Sequence, residues 1–466
     1  MKNKIFIAIC FALSALFFSC KKYLDVNPKS SISEDELFQS EAGFNQALTG
    51  VYSQMASRSL YGDNLSMGFV SALAQNYAVS GSGVTFVETR ALNYTSGEVV
   101  NFTNSIWNVS YSAIAGANKV IINSEKQKNV LSTSSYALVR GEALGLRAYL
   151  HFELLRMFGP EYAAGAQLKA IPYKTTVDQF ANVPSTTAEV VALALKDLEE
   201  AERLLKDKDP IQQTTPGRRI KMNYYAVKAL EARIKLYAGD KPGALAAAQI
   251  VVNSAKFPFV TANAAKAAAG LRDRLYLTEE VFCIRVRDLV DWADPGYFRF
   301  NGSTSRTLTR STANFNTLYE ASSTDIRYLY RIEQDGGSPY PSKFWQTYQY
   351  NTLDSNRLDQ HVPLIRLSEM YYILAEAAPT VSEGVNYLNV VRQNRSLAPL
   401  ANTITATALT NEITKEYQKE FYAEGQLFYY YKRKNIVRPQ FMTANIPLSK
   451  YVLPIPQTEL EFNPNY

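Results

Sequence analysis

The residues best suited to reaction chemistry in this sequence are His151, His361 and Cys283, and none stands at a spacing that catalysis or metal binding uses. His151 lies inside the run 136–158, the most apolar helical stretch, where a neutral, hydrogen-bonded core imidazole is expected. His361 precedes Val362-Pro363 in an expected edge segment, with no carboxylate–His spacing around it to suggest a metal. Cys283 falls in Val281-Phe282-Cys283-Ile284-Arg285-Val286-Arg287, whose alternation reads as a strand, so a buried free thiol is expected rather than a nucleophile. Gly81-Ser82-Gly83 and Gly336-Gly337-Ser338 are turn material. No GxSxG, HExxH, P-loop, GxGxxG or EF-hand pattern occurs. One enzymatic reading stays open, a glycosidase carboxylate pair, because such pairs are set in space and not in sequence.

The residue types in surplus suit recognition instead. There are 31 Tyr against two His, which favours stacking and hydrogen-bonding surfaces over imidazole chemistry. A sugar ring has apolar C–H faces and a polar rim, so it is held by a flat aromatic plus Asn, Arg and carboxylate partners. Trp292 and Tyr297, in Asp291-Trp292-Ala293-Asp294-Pro295-Gly296-Tyr297, and Trp345, in Lys343-Phe344-Trp345-Gln346, are such candidates. The competing reading for each Trp is a plug for its own loop. Trp107 sits on a helix and reads as core.

These side chains need a scaffold, and 466 residues with 47% hydrophobic content can build a large core. The formal charge is +6, two of it from Lys2 and Lys4, with no Lys/Arg block of the kind that tracks phosphates. Nucleic acid is therefore not an expected partner. Lys2 and Lys4 precede the uncharged apolar run 5–18, too short to span a membrane and suited to a signal peptide. It ends at Ser19-Cys20, which resembles a bacterial lipoprotein signal, and cleavage there would leave Cys20 as the acylated first residue of the mature chain. Residues 20–33 then read as a tether, and Cys10 is lost with the leader.

Beyond the tether the dominant period is helical. Leu37, Phe44, Ala47, Leu48 and Val51 share a face of a first helix, capped by Ser33 or Asp35. Helices are expected at about 105–123, 136–158 and 187–205, the second apolar almost all round and closed by Gly159-Pro160. Gly141, Gly145 and Ala148 lie nearly in line on it and permit close helix approach. Ala229 to Asp240, followed by Ala244, Ala248 and Val251-Val252, resembles a tetratricopeptide unit, and 367–376 with 385–392 looks like another. Residues 291–350 are rich in Ser, Thr, Asn, Gly, Tyr and Phe without helical period, as functional loops often are. The fold class expected is mainly α: a tetratricopeptide-like helical scaffold with a loop-rich, partly β ligand-binding face. A signal peptide at 1–19 and tether at 20–33 precede one domain, 34–466. Its helical repeats are expected at about 34–260 and 361–435, and its loop-rich part at about 276–360.

Several segments, in order, resemble the SusD/RagB lipoproteins. They are Cys20-Lys21-Lys22-Tyr23-Leu24-Asp25 with Pro28, then Ser105-Ile106-Trp107 with Tyr111, Ile114, Ala117-Asn118 and Val120-Ile121. Glu142 to Tyr149, with Phe152 and Leu155, leads into Phe158-Gly159-Pro160 and Ile171-Pro172-Tyr173. Pro363-Leu364-Ile365-Arg366 with Glu369, Ala375-Glu376-Ala377, and the closing Leu453-Pro454-Ile455-Pro456 and Asn463-Pro464-Asn465 complete the series. The family's E-F-x-x-E-G-x-R-x-x-D-L-x-R pattern runs here from Glu420 to Arg433, with Leu427 for its Arg and Tyr430 for its Asp. Losing both charges together can be neutral where losing one is not, so the helix is expected to pack as in a divergent subgroup.

The resemblance implies a lipid-anchored protein facing the cell exterior at the outer membrane, docked as a lid over a SusC-like TonB-dependent transporter. It implies capture of an oligosaccharide, or in some members a peptide, with no chemistry and no cofactor. It also directs attention to Tyr61, Asn64, Asn76 and Tyr77, in the loops after the first helix where family members place ligand contacts. The alternative class is a tetratricopeptide-type scaffold binding proteins in its helical groove. Replacement Cys20→Ala is expected to abolish acyl labelling and membrane association. Undiminished membrane retention of that variant would contradict the anchor.

Overall fold

The computed structural model describes residues 32–213, 216–299, 308–345 and 360–466. Cys20 and the leader lie outside them. The first amphipathic stripe forms two helices rather than one: a single turn, Glu34–Leu37, and α1, Glu41–Met55. Ser33 caps the first and Ser40 the second, each accepting a backbone N–H three residues on, while Asp35 lies within the first turn. Gly43 allows the break, since a Cβ there would sit 1.6 Å from the Leu37 carbonyl oxygen.

Consecutive long helices then pack on one another: α2 (Gly97–Lys126), α3 (Thr133–Phe158), α4 (Thr187–Leu205), α5 (Tyr224–Tyr237) and α6 (Lys241–Asn253). The array resumes with α7 (Leu367–Ala377), which packs on α6, then α8 (Val381–Asn394) and α9 (Ala406–Glu420). This is the mainly α, repeat-like scaffold that the 3.6-residue period predicts. The α5–α6 turn is built on Gly239 at φ 82° and Asp240, which caps α6. In α3 the small residues act as expected: Cβ atoms at Gly141 and Gly145 would fall 2.7 Å from Leu205 Cγ and 2.5 Å from Met222 Cγ. His151, fully buried on the same helix, bonds Arg147 O through Nδ1 at 2.9 Å and accepts the Lys174 N–H at Nε2 at 3.0 Å. Burial drives its pKa down to about 3, so the ring is neutral, as the sequence suggests. Among the described residues no helix is long and apolar enough to cross a membrane.

The loop-rich part enters and leaves this array through a ribbon of β1 (Glu280–Arg285) and β4 (His361–Arg366), antiparallel and pairing Arg285 with His361. Contrary to the sequence expectation, the segment between is not without helix. It holds Leu289–Ala293, Thr312–Leu318 and Ile326–Arg331, followed by the hairpin of β2 (Ile332–Asp335) and β3 (Ser338–Pro341). Helices of five to seven residues are too short to show an apolar stripe. The hairpin turns on Gly336 and Gly337, at φ 54° and 74°, the left-handed values a two-residue turn requires.

Charged side chains tie the array together. Arg147 on α3 grips Asp197 on α4 through two bonds of 2.7 and 2.6 Å, and Arg233 on α5 grips Glu369 on α7 likewise at 2.7 Å each. Glu376, at the end of α7, receives Arg433 at 2.5 and 2.9 Å and Lys434 at 3.1 Å. Burial alone would raise this carboxyl, but the two cations prevail and lower it from 4.5 to about 2. Its folded-state pKa is thus below the unfolded one, so its stabilisation is complete above pH 4.5 and lost as pH falls towards about 2. Glu376→Gln is expected to cost about 3 kcal/mol at neutral pH and to flatten the acid limb of the stability curve. Denaturant unfolding across that range checks this, and identical acid limbs in the two proteins would contradict it.

Candidate functional site

Where β1 ends, Asp288 takes a left-handed conformation (φ 59°) and turns the chain into Leu289–Ala293 and a π-helical turn at Asp294–Phe298. Such turns are rare and concentrate at functional sites. This one holds the half-buried rings of Trp292 and Tyr297 perpendicular, with centroids 5.9 Å apart. The loop after α1 supplies the partners. Arg58 lies over Trp292, 4.3 Å from the ring centre, with its side chain 59% exposed. Tyr297 Oη donates to Asp63 Oδ2 at 2.7 Å and accepts from Arg58 Nη2 at 3.1 Å. The same carboxylate oxygen receives Arg58 Nε and Nη2 at 3.2 and 2.9 Å.

Asp63 is buried, and that burial raises its pKa although Tyr297 and Arg58 both oppose the shift. Among the described residues its Oδ1 has no hydrogen-bond partner, and it faces Gly68, where a Cβ would lie 2.3 Å away. Asp63 therefore acts as the fixed base of the cluster, orienting a phenol and a guanidinium whose outer parts reach solvent. An aromatic edge beside an exposed, pre-positioned fork of N–H donors suits the rim and face of a sugar ring.

Trp345 has other partners among the described residues: it carries two guanidiniums, Arg274 and Arg299, at 4.2 and 4.7 Å from the ring centre. Tyr61, Asn64, Asn76 and Tyr77 turn inward, at 1, 5, 3 and 0% exposure. Tyr77 Oη donates to Met67 O at 2.6 Å, Asn64 Nδ2 to Ser59 O at 3.3 Å, and Asn76 Oδ1 accepts the Ala423 N–H at 3.2 Å. Tyr61 packs against Tyr149, 5.6 Å between ring centres. The structure thus gives these four a stapling role: they hold down the loop that presents Arg58 and Asp63.

A second concave feature was missed in sequence. A cleft of about 370 Å³ lies between α2, the segment 172–182 and the C-terminal turn Gln457–Phe462. Buried Trp107 and half-buried Tyr111 line it, and Phe180 and Phe462 stand at its mouth, each 80% exposed. The available signal was Phe180 alone among polar residues in Asp178-Gln179-Phe180-Ala181-Asn182. His361 lies in an edge strand as expected, paired with Arg285, and its Nδ1 stands 2.9 Å from Glu280 Oε2, a neighbour that no sequence spacing announces.

Residues 22–236 match a SusD-like family model described as "Starch-binding associating with outer membrane", and residues 296–466 match the SusD family model. The chain belongs to the SusD/RagB family. A SusD-like protein, P2, of Formosa agariphila is 23% identical across 95% of this chain and 94% of its own. A SusD superfamily structure from Bacteroides thetaiotaomicron matches with a TM-score of 0.70 at 22% identity, covering 91% of this chain and 98% of that one. A laminarin-binding SusD-like protein matches with a TM-score of 0.65 at 20% identity, over 92% and 100%.

SusD-like proteins are carbohydrate-binding proteins and not enzymes, which removes the glycosidase reading. In SusD/RagB terms the divergent positions here are neatly filled. Leu427 and Tyr430 are buried, and Tyr430 stacks on Tyr417 at 4.1 Å and meets Thr414 Oγ1 through its hydroxyl at 2.7 Å. Neither position leaves a charge behind, whereas the nearby Lys432, also buried, donates to the carbonyls of Arg156 and Gly159.

Proposed function

We propose that this SusD/RagB protein captures an oligosaccharide on the face formed by Trp292, Tyr297 and Arg58, and passes it to a SusC-like TonB-dependent transporter. The carrying observation is the half-exposed, perpendicular Trp292–Tyr297 pair with the exposed Arg58 guanidinium fixed beside it by buried Asp63. Family membership supports glycan over peptide, and the laminarin-binding neighbour points the same way. Lipid anchoring at Cys20 would hold the protein at the exterior of the outer membrane. Passage to the barrel rests on the family resemblance.

The Phe180–Phe462 cleft supports a second placement of the same activity, because it is the more concave feature. Two variants separate the two. On a glycan and peptide array the protein is expected to bind an oligosaccharide with micromolar affinity, about −8 kcal/mol at 1 μM. Trp292→Ala should weaken it by about 1–3 kcal/mol, by analogy with base stacking, and Phe180→Ala should leave it unchanged. The reverse pattern moves the site to the cleft, and a peptide as sole ligand would overturn the glycan reading.

A further inference from the structure

The β1–β4 ribbon brings together three side chains that the binding site does not use: Glu280 and Cys283 from β1 and His361 from β4. In a regular strand residues three apart point to opposite faces. Here the pairing register shifts between Glu280 and Phe282 and again between Phe282 and Cys283. That irregularity puts the carboxylate and the thiol on the same side, as bulges beside sites do. Glu280 and Cys283 are fully buried, and His361 is 6% exposed. His361 Nδ1 lies 2.9 Å from Glu280 Oε2 and 3.6 Å from Cys283 Sγ.

The polar accounting at this point is incomplete. Buried carboxylates nearby have guanidinium partners: Glu279 has Arg395, and Glu420 has Arg327, Arg366 and Arg395. Among the described residues Glu280 has no guanidinium partner: His361 meets its Oε2, and its Oε1 has no hydrogen-bond partner although the residue is fully buried. The neighbouring Arg219 adds its charge without a bond to Glu280, its Nη1 and Nη2 donating to the carbonyls of Leu277 and Lys256 at 2.8 and 3.2 Å. With only an imidazole bonded to one oxygen and nothing to the other, this buried carboxylate is under-paired, and a bound cation would complete it.

We propose that Glu280, Cys283 and His361 form a buried site for one divalent transition-metal ion, with zinc the best fit. Tetrahedral zinc with Zn–S and Zn–N bonds of about 2.3 and 2.05 Å sets sulfur and nitrogen about 3.5 Å apart, next to the 3.6 Å found. Oxygen and nitrogen need about 3.3 Å, so the Glu280 carboxylate withdraws by a few tenths of an ångström from its 2.9 Å contact. One sulfur, one nitrogen and one oxygen donor suit zinc and disfavour calcium or magnesium, which take oxygen alone. Glu280 Oε1 or a water fills the fourth position. On binding, the Cys283 thiol gives up its proton to solvent, and His361 binds through Nδ1 with its proton on Nε2. Burial and the Glu280 charge raise the free thiol's pKa, which the metal's own charge reverses. The ion would pin the two strands at the point where the ligand-bearing insertion leaves the helical array.

The test is a cobalt(II) titration of the full-length protein in detergent after chelator treatment. One equivalent is expected to give a near-ultraviolet sulfur-to-cobalt band and visible bands of tetrahedral intensity, displaced by zinc. Cys283→Ser should lose the sulfur band. The isosteric Glu280→Gln, its fold checked by circular dichroism, should weaken cobalt binding by more than about tenfold. No sulfur band at one equivalent, the same band in Cys283→Ser, or unchanged affinity in Glu280→Gln would each overturn the site.

Discussion

The carboxylate of Glu420, at the last residue of α9, is fully buried and receives four charged hydrogen bonds. Arg395 supplies two, at 2.8 and 3.0 Å, Arg327 one at 3.0 Å, and Arg366 a close one. Burial opposes the charge, yet Arg395, Arg366 and Arg327 together hold Glu420 well below the usual carboxylate range. The three guanidiniums reach on to other acids: Arg395 to Glu279, Arg366 to Glu424, Arg327 to Asp325 and Glu416. Charges taken this far from water are tolerable only as a satisfied set, because each unpaired member would cost several kcal/mol.

The network also decides where the proposed binding face sits. Arg327 belongs to a helix of the insertion, Glu279 precedes β1, Arg366 ends β4 and leads into α7, and Arg395 closes α8. Through Glu420 the insertion is therefore fastened to the helical array at the ribbon from which Trp292 and Tyr297 are hung. Lys343 adds a second tie, donating to Glu424 at 2.5 Å and to the Tyr422 carbonyl at 2.7 Å. On the opposite side the loop carrying Arg58 and Asp63 is stapled by Asn76 and Tyr77. Two independently anchored loops thus meet at one aromatic and guanidinium patch, so the patch is pre-formed.

What the sequence made legible follows from these physics. The helices show because a buried stripe repeats every 3.6 residues, as in α4, and local cap chemistry marks ends such as Ser33 and Asp240. The motif residues Arg366, Glu369, Glu376, Glu420, Glu424 and Arg433 were readable as a family pattern but not as ion pairs. Charged residues are read as exposed by default, and their partners lie on other elements. The same default misplaced Tyr61, Asn64, Asn76 and Tyr77, polar loop residues whose burial depends on how the loop packs. Trp292 and Tyr297 stand out by composition, yet Arg58 does not, because it meets Tyr297 across 239 positions of chain. No local rule encodes such a pairing.

The central claim is that Glu420 and its arginines act as one cooperative unit joining insertion to array. A double-mutant cycle of Glu420→Gln and Arg395→Met, read by urea unfolding, addresses it directly. Each single change is expected to cost about 3–5 kcal/mol, and the pair to cost less than the sum by about 1–3 kcal/mol. Costs that add to within about 0.5 kcal/mol would show the two side chains to be independent and would contradict the account.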